Sequence, residues 1–255
     1  MRPLALALLA ALAAGPALGS AWTLPAGEGF AAQTVAWTRS SEAWDAAGRL
    51  RPAPDTETWE TRTYLEYGLR DGLTAVAQLS VSHETVGEPT PDLRLGLDWA
   101  DLGLRLRLGQ WRGAVFAAQG TVRLPGAWGE VRPATLGATE PEFDSRLLAG
   151  RGWQALGLSG WLDLQAAHRL RTGPEADELR LDLTAGLRPL PRLMVIAQAF
   201  GRVAVEGGER DAKLGLSAAW EATPTWTVQL GAGITAWGRV ATRETTAHLA
   251  IWRKF

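Results

Sequence analysis

The residues best suited to chemistry in this chain are arginines set two apart among leucines: Arg105 and Arg107 in LRLRL, Arg169 and Arg171 in HRLRT, with Arg180 in ELRLD. On a strand, a spacing of two sends both side chains to one face. Rows of that kind can contact small polar or anionic solutes, as rings of charge do in pores. Asp101, Asp163, Glu178 and Asp182 share the parity of these arginines. A second reading therefore stands beside the first, in which opposite charges on neighbouring strands pair and fill the space.

Other chemistry is sparsely represented. Ser145 and His168 fall on the opposite, apolar parity at similar height, and a lipid-facing Ser-His pair is how an outer-membrane lipid hydrolase or acyltransferase would be arranged. The sequence sets no third group beside them, so the expectation is a protein that is not an enzyme. The three His residues stand far apart, without H-x-x-x-H or H-E-x-x-H, and the glycine-rich stretches lack the Lys-Ser/Thr of a P-loop. No metal or cofactor is expected.

The composition bounds what can hold these residues. The chain has 255 residues, 46% hydrophobic and 21% charged, with a net charge of −1, which argues against disorder and against nucleic-acid binding. Thirteen Trp against five Phe and two Tyr favour an interface with one apolar and one wet side. Cys and Asn are absent, so turns rely on Gly, Asp and Pro. Arg2, the apolar run Leu4–Ala14 and the small residues Ala17, Gly19, Ser20 and Ala21 read as a signal peptide, residues 1–19, with cleavage that could extend to 21. Residues 22–255 then form one barrel domain.

From Phe30 onward, segments of about ten residues alternate with period 2 between turn signals. About twelve such segments predict an all-β fold, a closed antiparallel transmembrane β-barrel in an up-and-down meander. Long connections (41–57, 83–98, 125–142, 172–177, 204–210, 238–244) alternate with short ones (71–72, 109–113, 189–192, 222–225), and only 151–159 is longer than that rule predicts. Leu65, Tyr67 and Leu69, Leu102, Leu104 and Leu106, and Leu179, Leu181 and Leu183 share a face assigned to lipid. Glu60, Arg62, Glu66, Asp101, Arg105, Asp163, Arg169, Glu178, Arg180 and Lys213 share a mixed-sign charged lumen. Trp44, Trp59 and Trp237 fall near the long-loop end, Trp111 and Trp226 near the short-turn end, as two aromatic girdles require.

The last residues, Thr245–Phe255 (TTAHLAIWRKF), form a strand with Leu249, Ile251 and Phe255 on the lipid face and His248 in the lumen. This ending resembles the insertion signal of bacterial outer-membrane barrels, although Arg253 stands where an aromatic or apolar residue is usual. Together with Ala21–Phe30 (AWTLPAGEGF) and Ala176–Pro189 (ADELRLDLTAGLRP), it is similar to a family of small Gram-negative outer-membrane barrels, classed as transporters or associated with exopolysaccharide genes. The resemblance implies a place and a shape without a defined chemistry. The expectations are Sec export, residence in the cell outer membrane with both termini periplasmic, and contact with lipid and lipopolysaccharide. Insertion would use the barrel-assembly machinery, through the strand ending at Phe255. The expected activity is passive passage of small solutes, with a structural barrel serving surface polysaccharide or envelope assembly as the alternative.

Overall fold

The computed structural model describes residues 20–86, 92–126 and 140–255; the expected signal peptide, and parts of the expected loops 83–98 and 125–142, lie outside the described residues. Twelve strands follow one another: β1 (Gly29–Trp44), β2 (Leu50–Arg70), β3 (Leu73–Val86), β4 (Asp92–Trp111), β5 (Ala114–Pro125), β6 (Glu142–Ala155), β7 (Leu158–Arg171), β8 (Glu178–Leu190), β9 (Leu193–Ala204), β10 (Arg210–Glu221), β11 (Trp226–Arg239) and β12 (Ala241–Lys254). Each is antiparallel to its sequence neighbours, and β1 pairs with β12 from Phe30↔Lys254 to Trp44↔Ala241. Closure leaves no sheet edge, the condition for a β-structure in hydrocarbon.

The alternation in sequence becomes the two faces of the wall. Leu102, Leu104, Leu106, Leu179 and Leu181 are exposed on the outside, whereas Arg105, Asp163, Glu178 and Asp182 are buried on the inside. Trp59, Trp111, Trp226 and Trp237 are exposed on the outer face. The guanidinium of Arg253 lies 5.2 Å from the Trp226 ring centroid, so this cation on the apolar face is held by an aromatic face. His248 turns inward, its ring beside Gly231.

Connections at the short-turn end are tighter than the sequence suggests. The stretch 151–159 contains only a two-residue turn, Leu156-Gly157, with φ of 53° and 75°. Arg112-Gly113 repeats the pattern at 48° and 81°. Two successive positive φ values match the right-handed twist of the flanking strands, so the short connection is sterically preferred even with Leu at the first position. At the opposite end strands also run on past the expected bounds: β1 reaches Trp44, β2 starts at Leu50, and Val240 alone separates β11 from β12.

The loop between β1 and β2 is organised by Asp45. Its carboxylate accepts the Ala47 and Arg49 N–H groups, each at 2.9 Å, and meets Nε of Arg49 and Arg51 at 3.2 and 3.3 Å. The Arg49 amide foremost, then the Ala47 amide and the two guanidinium groups, outweigh what desolvation it suffers and hold its pKa down at about 2. A depressed carboxylate pKa gives order that is present above the usual carboxylate range and lost as pH falls through the folded value. The Ala47 and Arg49 amide resonances should therefore titrate with a midpoint near 2 rather than near the ordinary value of 3.8. Asp45→Ala should abolish that step.

Candidate functional site

The inside of the barrel divides into two halves. At the short-turn end Phe30, Tyr64, Val76, Trp161, Met194, Ile196 and Trp252 form a buried apolar cluster, with Trp22 and Leu24 packed against it. These two belong to the segment before β1, which enters the barrel from that end. Gly27 N–H donates to the Gly68 carbonyl, Ala26 N–H to Asp71, Leu24 N–H to Thr74 Oγ1 at 2.8 Å, and Ala21 N–H to Asp163 Oδ2 at 2.7 Å. Arg105 Nη1 donates to the Trp22 carbonyl at 3.1 Å.

Three inward glycines make room in this half. A Cβ on Gly68 would come within 1.9 Å of the Pro25 carbonyl oxygen, one on Gly150 within 2.7 Å of the Trp22 ring, and one on Gly186 within 2.0 Å of the Trp161 ring. The mixed-sign charged lumen expected from parity is thus interrupted in this half, where the charged groups that remain, Glu66, Arg105 and Asp163, are buried and bonded to Tyr64 or to the N-terminal segment. Parity separates inside from outside but carries no information on a segment that lacks a period.

In the charged half, Arg105, Gln119, Arg146, Ala167, Arg180, Arg202 and Asp211 are successive cross-strand partners from β4 to β10. Acids flank this row. Arg146 meets Asp144 at 2.6 Å and Asp182 at 2.9 Å, and Arg202 meets Asp211 at 2.6 Å and Glu178 at 3.1 Å. Next to it Arg123 pairs with Asp101 at 2.8 Å. On the adjoining wall of β2, β3 and β4, Asp98 accepts from the hydroxyls of Ser80 and Ser82, and Glu60 accepts from Ser80 and Arg62. At the long-loop mouth a pocket of about 900 Å³ opens over Arg171 and Arg202.

The five arginines singled out by spacing meet different fates. Arg105 is fully buried, 2.9 Å from Glu66, and bonded to Tyr64 and Gln119 as well. Arg107 lies at the short-turn end beside Gly72, exposed and away from the row. Arg169 sits between Glu142 at 3.5 Å and Asp144 at 3.4 Å. Arg171 meets Glu142, Glu175 and Glu178 at 3.2, 3.0 and 2.8 Å. Arg180 is half-buried, and among the described residues no carboxylate lies within ion-pair distance of it. Arg123, Arg146 and Arg202, which spacing alone did not single out, complete the charged wall; the parity of Asp144 with Arg146 on β6 is a signal for Arg146 alone.

On the outside, Ser145 and His168 are direct cross-strand partners. The third group missing from the sequence is supplied by the 172–177 connection, where Asp177 Oδ2 lies 3.3 Å from His168 Nε2. Ser145 Oγ, however, donates to the main-chain oxygen of His168 at 3.4 Å, so the hydroxyl is engaged by backbone and not by the base.

No family model matches the chain, and no curated protein matches it either. Solved structures do resemble it. An outer-membrane channel from Pseudomonas putida F1 superposes with a TM-score of 0.75 at 14% identity, covering 94% of this chain and 100% of that one. The KdgM porin gives 0.55 at 7% identity over 87% and 99% of the two chains, and the NanC porin 0.51 at 8% over 87% and 100%. At such identities the likeness establishes the fold, that of outer-membrane barrels with channels and porins among them.

Proposed function

We propose that this chain is exported, inserted into the outer membrane with its short turns and both termini in the periplasm, and acts as a passive channel for small polar or anionic solutes. The observation that carries this reading is Arg180, a guanidinium facing the lumen within a row of arginines whose other members are already matched by acids. A cation inside a channel that no carboxylate touches keeps its donors free for an anion, and the matched pairs around it hold the wall rigid while it does so. The superposable porins support the same reading, one of them solved in complex with disordered oligogalacturonate. In this arrangement the outer girdle faces lipopolysaccharide, and the β12 strand is the element presented to the assembly machinery.

In planar bilayers the folded protein should give discrete, salt-dependent steps with a preference for anions. Arg180→Glu should shift the reversal potential in a salt gradient towards cation selectivity without changing heat-modifiable migration on a gel. An unchanged reversal potential would remove Arg180 from the conduction path. The apolar half closed by Trp22 and Leu24 favours a second reading, a shut barrel working through its loops in the envelope. A bilayer that stays silent with correctly folded protein would select it.

A further inference from the structure

Asp163 is 1% exposed, and among the described residues the carboxylate bonds only to the Ala21 N–H at 2.7 Å and to Gln165 Nε2 at 2.8 Å. Among the described residues no basic side chain lies within ion-pair distance of it. Arg105 contributes a favourable field, but that guanidinium is committed to Glu66, Tyr64, Gln119 and the Trp22 carbonyl. Asp182, across the wall, spends its Oδ2 on Arg146 and leaves Oδ1 buried without a partner. A buried carboxylate with no cation is costly, so the site lacks a positive charge. Ser20, adjacent to the Asp163-bonded amide, is 1% exposed, and among the described residues its hydroxyl has no partner.

The sequence supplies a source for that charge. Hydrolysis of the Gly19–Ser20 peptide bond adds water across the C–N bond, leaving a carboxylate on the leader and a Ser20 amine, which takes up a further proton at neutral pH. We propose that leader removal occurs between Gly19 and Ser20, and that the new Ser20 ammonium is the counter-charge of Asp163, locking the N-terminal segment inside the barrel. Processing thus does more than release the chain from the inner membrane: it completes the ion balance of the lumen. The proposal rests on the export reading above, but not on conduction.

The test uses protein purified from outer membranes. N-terminal sequencing and intact mass should give a chain that begins at Ser20; a start at Trp22 or elsewhere overturns the proposal. The chain has only two lysines, Lys213 and Lys254, so acylation by an amine-reactive ester can be mapped to each amine. The Ser20 amine should react at least about tenfold more slowly in the wild type than in Asp163→Asn, with Lys254 as the internal standard. A wild-type α-amine that reacts as fast as Lys254, or at the same rate in both proteins, overturns the lock. Because the wild-type comparison with Lys254 stands by itself, the result does not depend on the variant folding. Labelling and sequencing are blind to conductance, so failure here and failure of the channel reading are separate outcomes.

Discussion

Trp22→Ala is expected to raise the open probability of the barrel, with longer high-conductance dwells than in the wild type. The indole packs on the cluster of Phe30, Tyr64, Trp161 and Trp252 and fits over Gly150. Truncating a packed tryptophan to alanine costs about 3–5 kcal/mol. Trp22 lies in a segment outside the strands of the wall, so the loss falls first on seating of the segment. At about 1.4 kcal/mol per factor of ten, a loss of about 3 kcal/mol raises the unseated population roughly a hundredfold. Gly150→Leu should act in the same direction from the wall side, since its first side-chain carbon alone would collide with the Trp22 ring. Single-channel recording, with conductance and open probability read separately, checks both variants. Unchanged open probability in both would mean that the segment does not limit passage.

The second large effect concerns stability. Arg105 and Glu66 are 0% and 1% exposed through their side chains and lie 2.9 Å apart, and Tyr64 bonds both of them. Removing one member of a buried pair strands the other charge, at a cost of about 3–5 kcal/mol. Arg105→Met should therefore lower the midpoint of urea unfolding in lipid vesicles markedly, and Glu66→Gln by less, because the guanidinium retains Gln119, Tyr64 and the Trp22 carbonyl. The double variant should recover much of the loss, since both charges leave together. Additive losses would show that the pair contributes nothing as a pair. Arg105 was expected to meet solute; its burial under Trp22 gives it a structural task in the unopened barrel.

Much of this molecule was legible in its sequence because a strand is a local object. Its period of two sorts side chains between two faces, so the inward charges, the outward leucines, the twelve-strand meander and the inward turn of His248 all followed from counting. The end of the chain was equally readable, since Leu249 and Ile251 lie outward and Phe255 closes against Gly29. Even the pairs of arginines announced a charged interior.

What required the tertiary structure was everything set by lateral order. Which arginine lies beside which acid depends on register and stagger around the closed wall, and neither is written within a single strand. Among the described residues Arg180 has no carboxylate within ion-pair distance, and Arg171 has three, for that reason. Leu156-Gly157 took a two-residue turn because twist compatibility outweighed the mild cost of a non-glycine residue at positive φ. Asp177 reached His168 through the fold of a connection. The N-terminal segment was the least legible part. AWTLPAGEGF has no period, and its partners Thr74, Arg105 and Asp163 lie 50, 83 and 142 positions away from the residues they bind. Only closure of the barrel brings those groups to one place, and with them the site where a chain terminus can serve as a buried cation.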